Sequence, residues 1–588
     1  MLPSLDITSL HTAYHDEQLT PTQLVHNLHK KIIEKESDSV WISLFSIEKL
    51  EEFARIVESK GMENCPLYGV PFAIKDNINV LGLPTTAACP EYSYDPEDSA
   101  YVVQQLMQAG AIPIGKTNLD QFATGLVGVR SPYGIPVNSY HSDYIPGGSS
   151  SGSAVAVAEG YVTFALGTDT AGSGRIPASF NNLVGHKPTK GLLSCSGVVP
   201  ACRSLDCVSI FTTNAQDAEH VFSVTNSYDS TDCYARETRE LAQPNWGNEF
   251  FFGVPRENQL EFFGNAEAQA LFHSAVAKLE DLGGVARKID FQPFGEAAKL
   301  LYEGPWVAER YVAIEEMITQ KPDSLHPVTK SIIEGGAIPT AVEAFKAEYR
   351  LKALKRQADA VLAEVDFIVT PTAGTIYTVA EVAANPVELN SNLGYYTNFM
   401  NLLDYAATAI PTGFYENGMP FGVTAFAPAF YDRALLKLAT RMSSTPAIET
   451  DTTTPPEGLV PVVVCGAHLE GQPLNWQLTD RDGYLWKQER TAPLYEFYAL
   501  PPVGDTIPPR PGVKRVTEGG VSIYVEVWLL PMKNFGSFVA AIPEPLGIGK
   551  VIMSDGETQY PGFICEGIGL ENAENISHLA DWREFVRG

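Results

Sequence analysis

A stretch rich in glycine and serine, residues 146–178, constrains the fold of this chain more than any other part. It begins Pro-Gly-Gly-Ser-Ser-Ser-Gly-Ser and, after an apolar run, continues to Gly-Thr-Asp-Thr-Ala-Gly-Ser-Gly-Arg-Ile-Pro. Glycine lets the backbone approach a ligand closely, and serine hydroxyls on such a backbone supply nucleophiles and hydrogen-bond donors. A flexible linker is the alternative, but linkers do not alternate with apolar runs such as 154–158 and 162–166. The stretch therefore predicts a catalytic or ligand-binding segment.

Length and charge limit the classes of function open to the chain. At 588 residues it is too long for one ordinary domain, and 45% hydrophobic with 10% aromatic residues is typical of a globular protein. The formal net charge of −29 argues against binding to nucleic acid or to an anionic membrane, because a negative surface repels phosphate. An anionic small substrate would therefore need a cationic side chain at its binding site.

The cysteines and the apolar runs indicate where the protein works. Its eight cysteines are scattered and form no CxxC pair, which is typical of free thiols in a reducing cytosol rather than of a disulfide framework. No apolar run reaches membrane-spanning length, and the N-terminal segment lacks the basic and then apolar pattern of a signal peptide. We therefore expect a soluble, cytoplasmic protein.

Helix and strand patterns alternate as far as about residue 440 and predict an α/β fold with a central sheet. Residues 443–458 are polar and proline-rich without periodicity, and they predict a linker. We expect one domain at 1–442 and a smaller, β-rich domain at 459–588. Strands are expected in the smaller domain at 462–465, 496–500, 522–530, 538–542 and 563–566.

Two segments near the N-terminus carry clear local signals. Residues 20–23, Thr-Pro-Thr-Gln, predict a helix start with a capping threonine. The expected apolar face of that helix consists of Leu24, Val25, Leu28, Ile32 and Ile33. Residues 67–76 predict an apolar strand that ends near Lys75, although on position alone Lys75 could equally be a charge on an edge strand.

Residues 110–117, Gly-Ala-Ile-Pro-Ile-Gly-Lys-Thr, formally match the phosphate-binding loop pattern GxxxxGK[ST]. Such a loop must follow a strand and open a helix. Here a helix is expected at 100–109, before the motif, and 111–114 itself has the pattern of a strand. A nucleotide site is therefore disfavoured, but a non-catalytic nucleotide-binding or scaffolding protein stays an alternative.

Ser173 is a candidate nucleophile, and a serine hydroxyl needs a base at neutral pH. The glycine-rich stretch holds no histidine; His186 is the nearest along the chain, and no G-x-S-x-G elbow surrounds Ser173. A distant histidine stays possible on these grounds. The other solution is a neutral lysine, which requires its pKa to fall by roughly 3 units through burial. Lys75, at the end of an apolar strand, is the candidate.

Three motifs together resemble the amidase signature family: 69–76, 115–118, and the glycine-serine stretch at 147–153 with 167–177. The resemblance covers roughly residues 20–440 and implies a fold with a central mixed sheet covered by helices. It also implies a Ser-cisSer-Lys triad with Ser173 as nucleophile, Ser149 as the bridging serine after a cis peptide bond, and Lys75 as base.

Further roles follow from the same resemblance. Ser150 matches a hydroxyl that supports the lysine. The oxyanion hole falls on the backbone amides of Thr170, Ala171, Gly172 and Ser173, where a single donor can contribute roughly 3–4 kcal/mol. The chain departs from the commonest family pattern at three positions, none of which removes a reacting group: Ser151 and Ala171 replace glycine, and Gly174 replaces an aliphatic residue.

These variants, with residues 120–134 and 301–310, look like the allophanate hydrolase branch of the family, which cleaves urea-1-carboxylate. That branch implies that Tyr302 and Arg310 hold the substrate carboxylate and that Gly125 contributes to substrate binding. A guanidinium suits a carboxylate because it donates two parallel hydrogen bonds. Without the resemblance, Arg310 would be read as a charge on a helix surface.

The tail, through 466–475 and 543–549, resembles the C-terminal domain of the same branch. The resemblance implies an α+β fold similar to gamma-glutamyl cyclotransferases, although the catalytic carboxylate of those enzymes has no counterpart that can be aligned. Decarboxylation of the amidase product is associated with this domain, and His468 is the candidate polar group. A lone histidine with a purely structural role is the alternative.

The resemblance implies hydrolysis of allophanate to ammonia and N-carboxycarbamate, followed by breakdown to ammonia and carbon dioxide, as part of urea degradation. It implies no cofactor and no metal. It also implies a homodimer and a functional link to an ATP- and biotin-dependent urea carboxylase, separate or fused, which supplies the substrate. The alternative within the fold is an amidase for another small amide, such as malonamate or a neutral aryl amide.

Overall fold

The computed structural model divides the chain into two compact units, Met1–Pro446 and Ala447–Gly588. It describes residues 4–35, 39–237, 244, 246–247, 249–443, 459–470, 472–481, 483–501, 509–571 and 573–587. The predicted linker at 443–458 lies outside the described residues except for Ser443, which ends a helix. Within the described residues, no helix is long and apolar enough to cross a membrane.

The first unit is built on one mixed sheet. Its strands are β1 (Trp41–Leu44), β2 (Pro71–Lys75), β3 (Ile112–Thr117), β4 (Phe164–Asp169), β5 (Val184–Lys187), β6 (Cys207–Thr212), β7 (Phe250–Pro255), β8 (Gly284–Ile289), β9 (Phe367–Pro371), β10 (Tyr405–Phe414) and β11 (Pro420–Pro428). The described residues form an 11-stranded sheet in the order β1-β3-β2-β4-β6-β5-β10-β11-β9-β7-β8. The large mixed sheet confirms the predicted α/β class of this unit.

Helices pack along this sheet. They are α1 (Ile7–His15), α2 (Pro21–Ile33), α3 (Ile47–Lys60), α4 (Tyr101–Gln108), α5 (Ser151–Ala158), α6 (Arg175–Phe180), α7 (Ala215–Thr225), α8 (Ala266–Asp281), α9 (Gln292–Glu303), α10 (Trp306–Ala313), α11 (Glu315–Gln320), α12 (Pro327–Glu334), α13 (Ala341–Leu362), α14 (Val379–Ala384), α15 (Glu388–Leu393) and α16 (Asp432–Ser443). Thr20 caps α2 with Gln23 in the predicted capping box. The apolar face of α2 is narrower than predicted, because Ile33 in its last turn is 43% exposed.

Strand β2 is central rather than at an edge. It runs parallel to both β3 and β4, and Ile74 pairs with Leu166. Because parallel neighbours end at the same edge of a sheet, the polar ends of β2 and β4 meet there. The alternative that Lys75 is an edge-strand charge is therefore wrong.

The segment that matches the phosphate-loop pattern is not a loop. Residues 112–117 form β3, and Lys116 is buried in an ion pair with Asp76 at 2.9 Å. Its Nζ also donates to Thr85 Oγ1 at 3.0 Å. Because Lys116 is buried and already paired with these groups, it is not available to a nucleotide phosphate.

The second unit is β-rich, with strands β12 (Leu459–Val464), β13 (Tyr484–Arg490), β14 (Tyr495–Leu500), β15 (Arg510–Arg515), β16 (Tyr524–Pro531), β17 (Leu546–Ile552), β18 (Gln559–Cys565) and β19 (Glu574–Asn575). Its described strands form two sheets, ordered β13-β16-β12-β18-β17 and β15-β14-β19. Its helices are α17 (Trp476–Thr479), α18 (Met532–Ala540) and α19 (Trp582–Arg587).

One strand predicted in this unit is wrong. Residues 538–542 were expected to be extended, but residues up to Ala540 belong to α18 and the chain then turns. Phe538 is buried, and Phe535 and Ile542 pack against the same core. Their spacing of three and four residues is helical, and this spacing outweighs the short apolar run that favoured a strand.

Candidate active site

Lys75 lies inside the sheet with two hydroxyl partners. It is the last residue of β2, and its side chain is fully buried. Its Nζ donates to Ser149 Oγ at 2.7 Å and to Thr168 Oγ1, near the end of β4, at 2.8 Å. The parallel pairing of β2 and β4 thus brings the predicted base to the predicted bridging serine.

Burial sets the protonation of this lysine. Loss of hydration lowers the pKa of Lys75 to about 7, against the opposing effect of the carboxylates of Asp120, Asp206 and Asp169. Nearby Arg310 lowers the pKa further. A substantial fraction of Lys75 is therefore neutral at physiological pH and able to accept a proton.

Backbone packing fixes the position of Ser149. The Gly148–Ser149 peptide bond is cis, as the family resemblance implied. The Ser149 carbonyl accepts from the amide of Asp120 at 3.0 Å. A Cβ on Gly148 would lie 2.1 Å from Asp120 Oδ2, so only glycine fits here. The Asp120 carboxylate in turn accepts from the amides of Gly128 and Arg130, both at 2.9 Å.

Ser173 lies in the turn between β4 and α6 and is 3% exposed. Its Oγ donates to the carbonyl of Gly125 at 3.5 Å. The hydrogen bonds of the described residues do not join Ser173 to Ser149. Relay of a proton from Ser173 to Ser149 therefore requires the Ser173 hydroxyl to leave Gly125, and catalytic hydrogen bonds often tighten in this way only when substrate binds.

A buried ion pair shapes the turn that carries Ser173. Asp169 accepts from Arg175 Nε and Nη2, both at 2.9 Å. The same carboxylate accepts from the amides of Gly172 at 2.9 Å and Gly174 at 3.1 Å. Burial would raise the pKa of Asp169, but Arg175 and these donors hold it below its usual value. The carboxylate is thus charged and fixes the turn from both ends.

The hydrogen bonds of Asp169 engage some amides of the predicted oxyanion hole and leave others without an acceptor in the described part of the chain. The Gly172 amide donates to Asp169, so its place in the oxyanion hole stays a prediction. For the amides of Thr170, Ala171 and Ser173 we find no acceptor among the described residues. Three amides of the turn are therefore left to stabilise negative charge on a reacting oxygen.

Ser150 supports the lysine indirectly. Its Oγ donates to the carbonyl of Thr168 at 3.2 Å and accepts from the Thr168 amide at 3.3 Å. Ser150 therefore fixes Thr168, and Thr168 contacts Lys75. The unusual Gly174 also has a local reason, because a Cβ there would lie 2.6 Å from Ser209 Cβ.

Tyr302 and Arg310 lie together on neighbouring helices, α9 and α10. The Arg310 guanidinium is 5.6 Å from the centre of the Tyr302 ring. Arg310 is 2% exposed, so the alternative of a helix-surface charge is wrong. Its Nη1 donates to Thr124 Oγ1 at 3.1 Å, next to Gly125, whose carbonyl contacts Ser173. Burial alone would lower the pKa of Arg310, but Tyr302 and neighbouring acidic groups raise it above its usual value.

A cavity of about 670 Å³ is lined by Tyr302 but not by Arg310 or Ser173. Its lining includes Arg130, Tyr302, Glu343, Lys346, Arg350 and Asn390. The predicted substrate-binding residue Gly125 has a φ of +157°, and a Cβ there would lie 2.6 Å from Asp120 Oδ2. Glycine is thus required where the backbone passes between Asp120 and the nucleophile.

Several residues of the site escaped the sequence reasoning. Thr168 and Asp169 stand in the recognised motif, yet nothing in the motif says that one contacts the lysine and the other Arg175. Asp206 lies far from the motif and accepts from Thr170 Oγ1 at 2.5 Å; burial raises its pKa. Arg130 lies within 120–134, a segment that in the sequence served only to identify the family branch, and is 1% exposed. Only the sheet pairing and the loop packing bring these groups together.

His186, the histidine nearest to Ser173 along the chain, does not contact it. His186 is buried in β5, where its Nδ1 lies 3.0 Å from Thr408 Oγ1 and its Nε2 3.5 Å from Asp432. It therefore does not complete a Ser-His-Asp triad with Ser173. No cluster of His, Cys, Asp and Glu suited to a metal ion occurs in the described part of the chain.

His468 belongs to the second unit, in the turn after β12. Its Nε2 lies 3.0 Å from Gln477 Oε1, and its ring stacks on Phe563 with 4.9 Å between centroids. Burial lowers its pKa. Its catalytic role stays a prediction, because a packed and hydrogen-bonded histidine suits a structural role equally well.

Two family models match the chain. Residues 23–436 match the amidase model, and residues 460–587 match that of the allophanate hydrolase C-terminal domain. Urea amidolyase of Saccharomyces cerevisiae is 44% identical over 559 residues, which make up 91% of this chain and 30% of that protein. The chain spans about a third of the length of the curated urea amidolyases it matches.

Two solved structures and a further sequence relative agree with these matches. Allophanate hydrolase of Kluyveromyces lactis is 42% identical with a TM-score of 0.73, and the comparison covers 99% of both chains. Urea amidolyase of the same organism is 41% identical with a TM-score of 0.73 over 100% of this chain and 37% of that one. The A subunit of glutamyl-tRNA(Gln) amidotransferase from Methanosarcina acetivorans is 31% identical over 70% of this chain and 90% of that protein.

The pKa of Lys75 predicts the pH profile of amide hydrolysis. Below a pKa of about 7, the neutral fraction of Lys75 falls about tenfold per pH unit, so kcat/KM should rise with slope one and level off above it. Steady-state ammonia release between about pH 5.5 and 9 measures this. A flat profile, with the chemical step rate-limiting, would contradict a neutral lysine base.

Thr168→Val tests the second hydroxyl on Lys75. The variant keeps the shape of the side chain but removes the acceptor at 2.8 Å, so Lys75 is less well positioned and kcat/KM should fall roughly tenfold, about 1.4 kcal/mol. Thr163→Val is the matched control, because the Thr163 hydroxyl is buried but has no hydrogen-bond partner among the described residues. Equal activity of the two variants would argue against a role for Thr168.

Proposed function

The chain belongs to the amidase family, and we propose that it hydrolyses allophanate, urea-1-carboxylate, to ammonia and N-carboxycarbamate. The observation that carries this proposal is the buried Arg310 beside Tyr302, a cation that forms no ion pair with a carboxylate of the described residues. Its link through Thr124 to Gly125 brings it to the nucleophile. The match of residues 460–587 to the allophanate hydrolase C-terminal domain supports the same substrate.

In the proposed mechanism, Ser173 attacks the terminal amide carbonyl of allophanate. Its proton passes to Ser149 Oγ while Ser149 gives its own proton to neutral Lys75, which already lies 2.7 Å away. The oxyanion is stabilised by the amides of Thr170, Ala171 and Ser173. Because these amides have no other acceptor among the described residues, they need no rearrangement to receive it.

The lysine then acts as an acid. Lys75, now charged, returns its proton through Ser149 to the leaving nitrogen, and ammonia departs. Water attacks the acyl-serine with the same two groups as relay and base, and N-carboxycarbamate is released. A pKa of about 7 suits both halves of this cycle, since Lys75 both takes and gives a proton near neutral pH.

The carboxylate of allophanate fits the cation at Arg310. A guanidinium can donate two parallel hydrogen bonds to a carboxylate, and Tyr302 adds a phenol at the same place. Arg310 thus supplies the local positive charge that an anionic substrate needs in a protein with a net charge of −29.

For the second unit we propose decarboxylation of N-carboxycarbamate with His468 as the polar group, on a fold similar to gamma-glutamyl cyclotransferases. In this step the C–N bond to the departing carbon dioxide breaks and its electron pair stays on nitrogen; His468, part-buried beside two aromatic rings, would supply the proton that completes carbamate. Complete breakdown would then give carbon dioxide and a second ammonia.

We also propose the wider setting of the reaction. The likeness to urea amidolyases supports a urea carboxylase, fused or separate, as the source of allophanate. The eight free cysteines support a reducing compartment such as the cytosol. A homodimer is the assembly that the family resemblance implies.

Arg310→Gln tests the carboxylate clamp. Because the amide retains hydrogen bonding to Thr124 but has no charge, KM for allophanate should rise roughly 100-fold, about 3 kcal/mol, with a smaller change in kcat. Ammonia release measures both constants, and Ser173→Ala should abolish it. An unchanged KM would remove the clamp from the proposal.

Substrate comparison with the unaltered protein tests the alternative amidases. Allophanate should exceed malonamate and neutral aryl amides in kcat/KM by more than tenfold, an expectation that follows from the branch resemblance and the clamp together. Comparable turnover of all three would favour a general amidase. Binding of ATP, together with ammonia release that survives Ser173→Ala, would favour the nucleotide-binding alternative.

His468→Ala tests the second step in the full chain. If His468 drives decarboxylation, the first ammonia should still appear at the normal rate while enzyme-dependent release of carbon dioxide is lost. Trapping the labelled product at alkaline pH and counting ammonia per allophanate distinguishes the two steps. Normal carbon dioxide release would leave His468 with its packing role only.

A further inference from the structure

We infer that Arg130 is a second ligand of the substrate carboxylate and a determinant of the preference for an anionic amide. The inference rests on the proposed function, because it takes the bound carboxylate as given and asks which groups receive it. It concerns a residue that, like Arg310, donates a hydrogen bond to Thr124.

The first support is an uncompensated buried charge. Arg130 and Arg310 are 1% and 2% exposed, and neither forms an ion pair with a carboxylate of the described residues. Two other buried cations differ: Arg175 pairs with Asp169 and Lys116 pairs with Asp76, each at 2.9 Å. Burying a charge is costly unless it is paired, so two neighbouring unpaired guanidiniums indicate an anionic ligand between them.

The second support is location. Arg130 Nη1 donates to the carbonyl of Thr124 at 3.0 Å, while Arg310 Nη1 donates to the hydroxyl of the same residue at 3.1 Å. Arg130 Nη1 also lies 3.2 Å from the position of a Cβ on Gly125, whose carbonyl contacts Ser173. With Tyr302, Arg130 lines the cavity of about 670 Å³. Both cations thus approach the substrate site from the backbone at 124–125.

The third support is unused donor capacity. A guanidinium has five N–H donors. Arg130 uses Nη1 on Thr124 and Nη2 on the carbonyl of Pro386 at 2.7 Å, while its Nε is buried without an acceptor. Arg310 Nε is likewise buried without an acceptor. Burial lowers the pKa of Arg130 against the opposing effect of Asp120 and Tyr302, and proximity to Arg310 lowers it further.

A purely structural role explains less. Arg130 does bridge Thr124 to Pro386, but both acceptors are neutral carbonyls, and a neutral amide side chain could donate to them without burying a charge. No carboxylate of the described residues lies within ion-pair distance of this charge, and Asp120 favours it only from further away. An anionic ligand supplies a close partner and completes the hydrogen bonding of the two arginines.

The test compares binding of allophanate with that of biuret, in which a neutral amide replaces the carboxylate. Dissociation constants are measured by calorimetry in the Ser173→Ala background, where no turnover occurs, with and without Arg130→Gln. We expect the preference for allophanate over biuret to fall at least tenfold in the double variant. The same loss for both ligands, or no loss, would overturn the inference.

Two further variants complete the design. Arg356→Gln makes the same change of charge on the exposed face of α13 and should leave the preference within twofold. If Arg130→Gln does not fold, Arg130→Lys decides. A lysine cannot serve Thr124, Pro386 and a carboxylate at once, so allophanate binding should weaken at least threefold while biuret binding stays unchanged. Equal changes for both ligands would again overturn the inference.

Failure of the inference and failure of the proposed function give different results. If the unaltered protein does not release ammonia from allophanate, the proposed function is wrong. If it does so, but Arg130→Gln leaves the preference for allophanate intact, only the role of Arg130 is wrong, and Arg310 alone accounts for recognition of the carboxylate.

Discussion

A lysine sealed inside the central sheet is the constraint on which the rest of the active site depends. Lys75 Nζ donates to two hydroxyls, Ser149 Oγ and Thr168 Oγ1. Because the side chain is fully buried, it lacks the hydration that would stabilise its charge. Burial brings its pKa to about 7, which lets one group accept and return a proton. The parallel pairing of β2 with β4 sets the lysine beside Thr168, and the backbone contacts of Asp120 hold Ser149 against it.

Four buried cations of the first unit fall into two groups with different consequences. Arg175 and Lys116 each have a carboxylate partner and so belong to the framework. Arg130 and Arg310 have none among the described residues, and both contact Thr124. In a protein of net charge −29, these two side chains are the cations to which we assign the anionic substrate. Their burial keeps the attraction from being screened by salt.

Prediction from the sequence was most complete where a local motif carries the reacting groups. The glycine-serine stretch and the strand ending in Lys75 pointed to the groups that meet in the site, and the capping box at Thr20 was correct in detail. Interactions that depend on tertiary packing could not be predicted from the sequence. The Gly172 amide donates to Asp169, and Arg130 reaches Thr124 only because the loop folds back. The strand expected at 538–542 failed for a related reason, since contacts with the core of the second unit favoured helical spacing.

Direct titration of Lys75 tests the central claim most closely. NMR of the protein labelled with ¹³C at lysine Cε, with the Lys75 signal assigned by its loss in Lys75→Arg, reports the charge of this side chain without reference to catalysis. The account predicts a titration near pH 7 for Lys75, well separated from the other lysines. A Lys75 signal that titrates near the ordinary lysine value of 10.5 would contradict it.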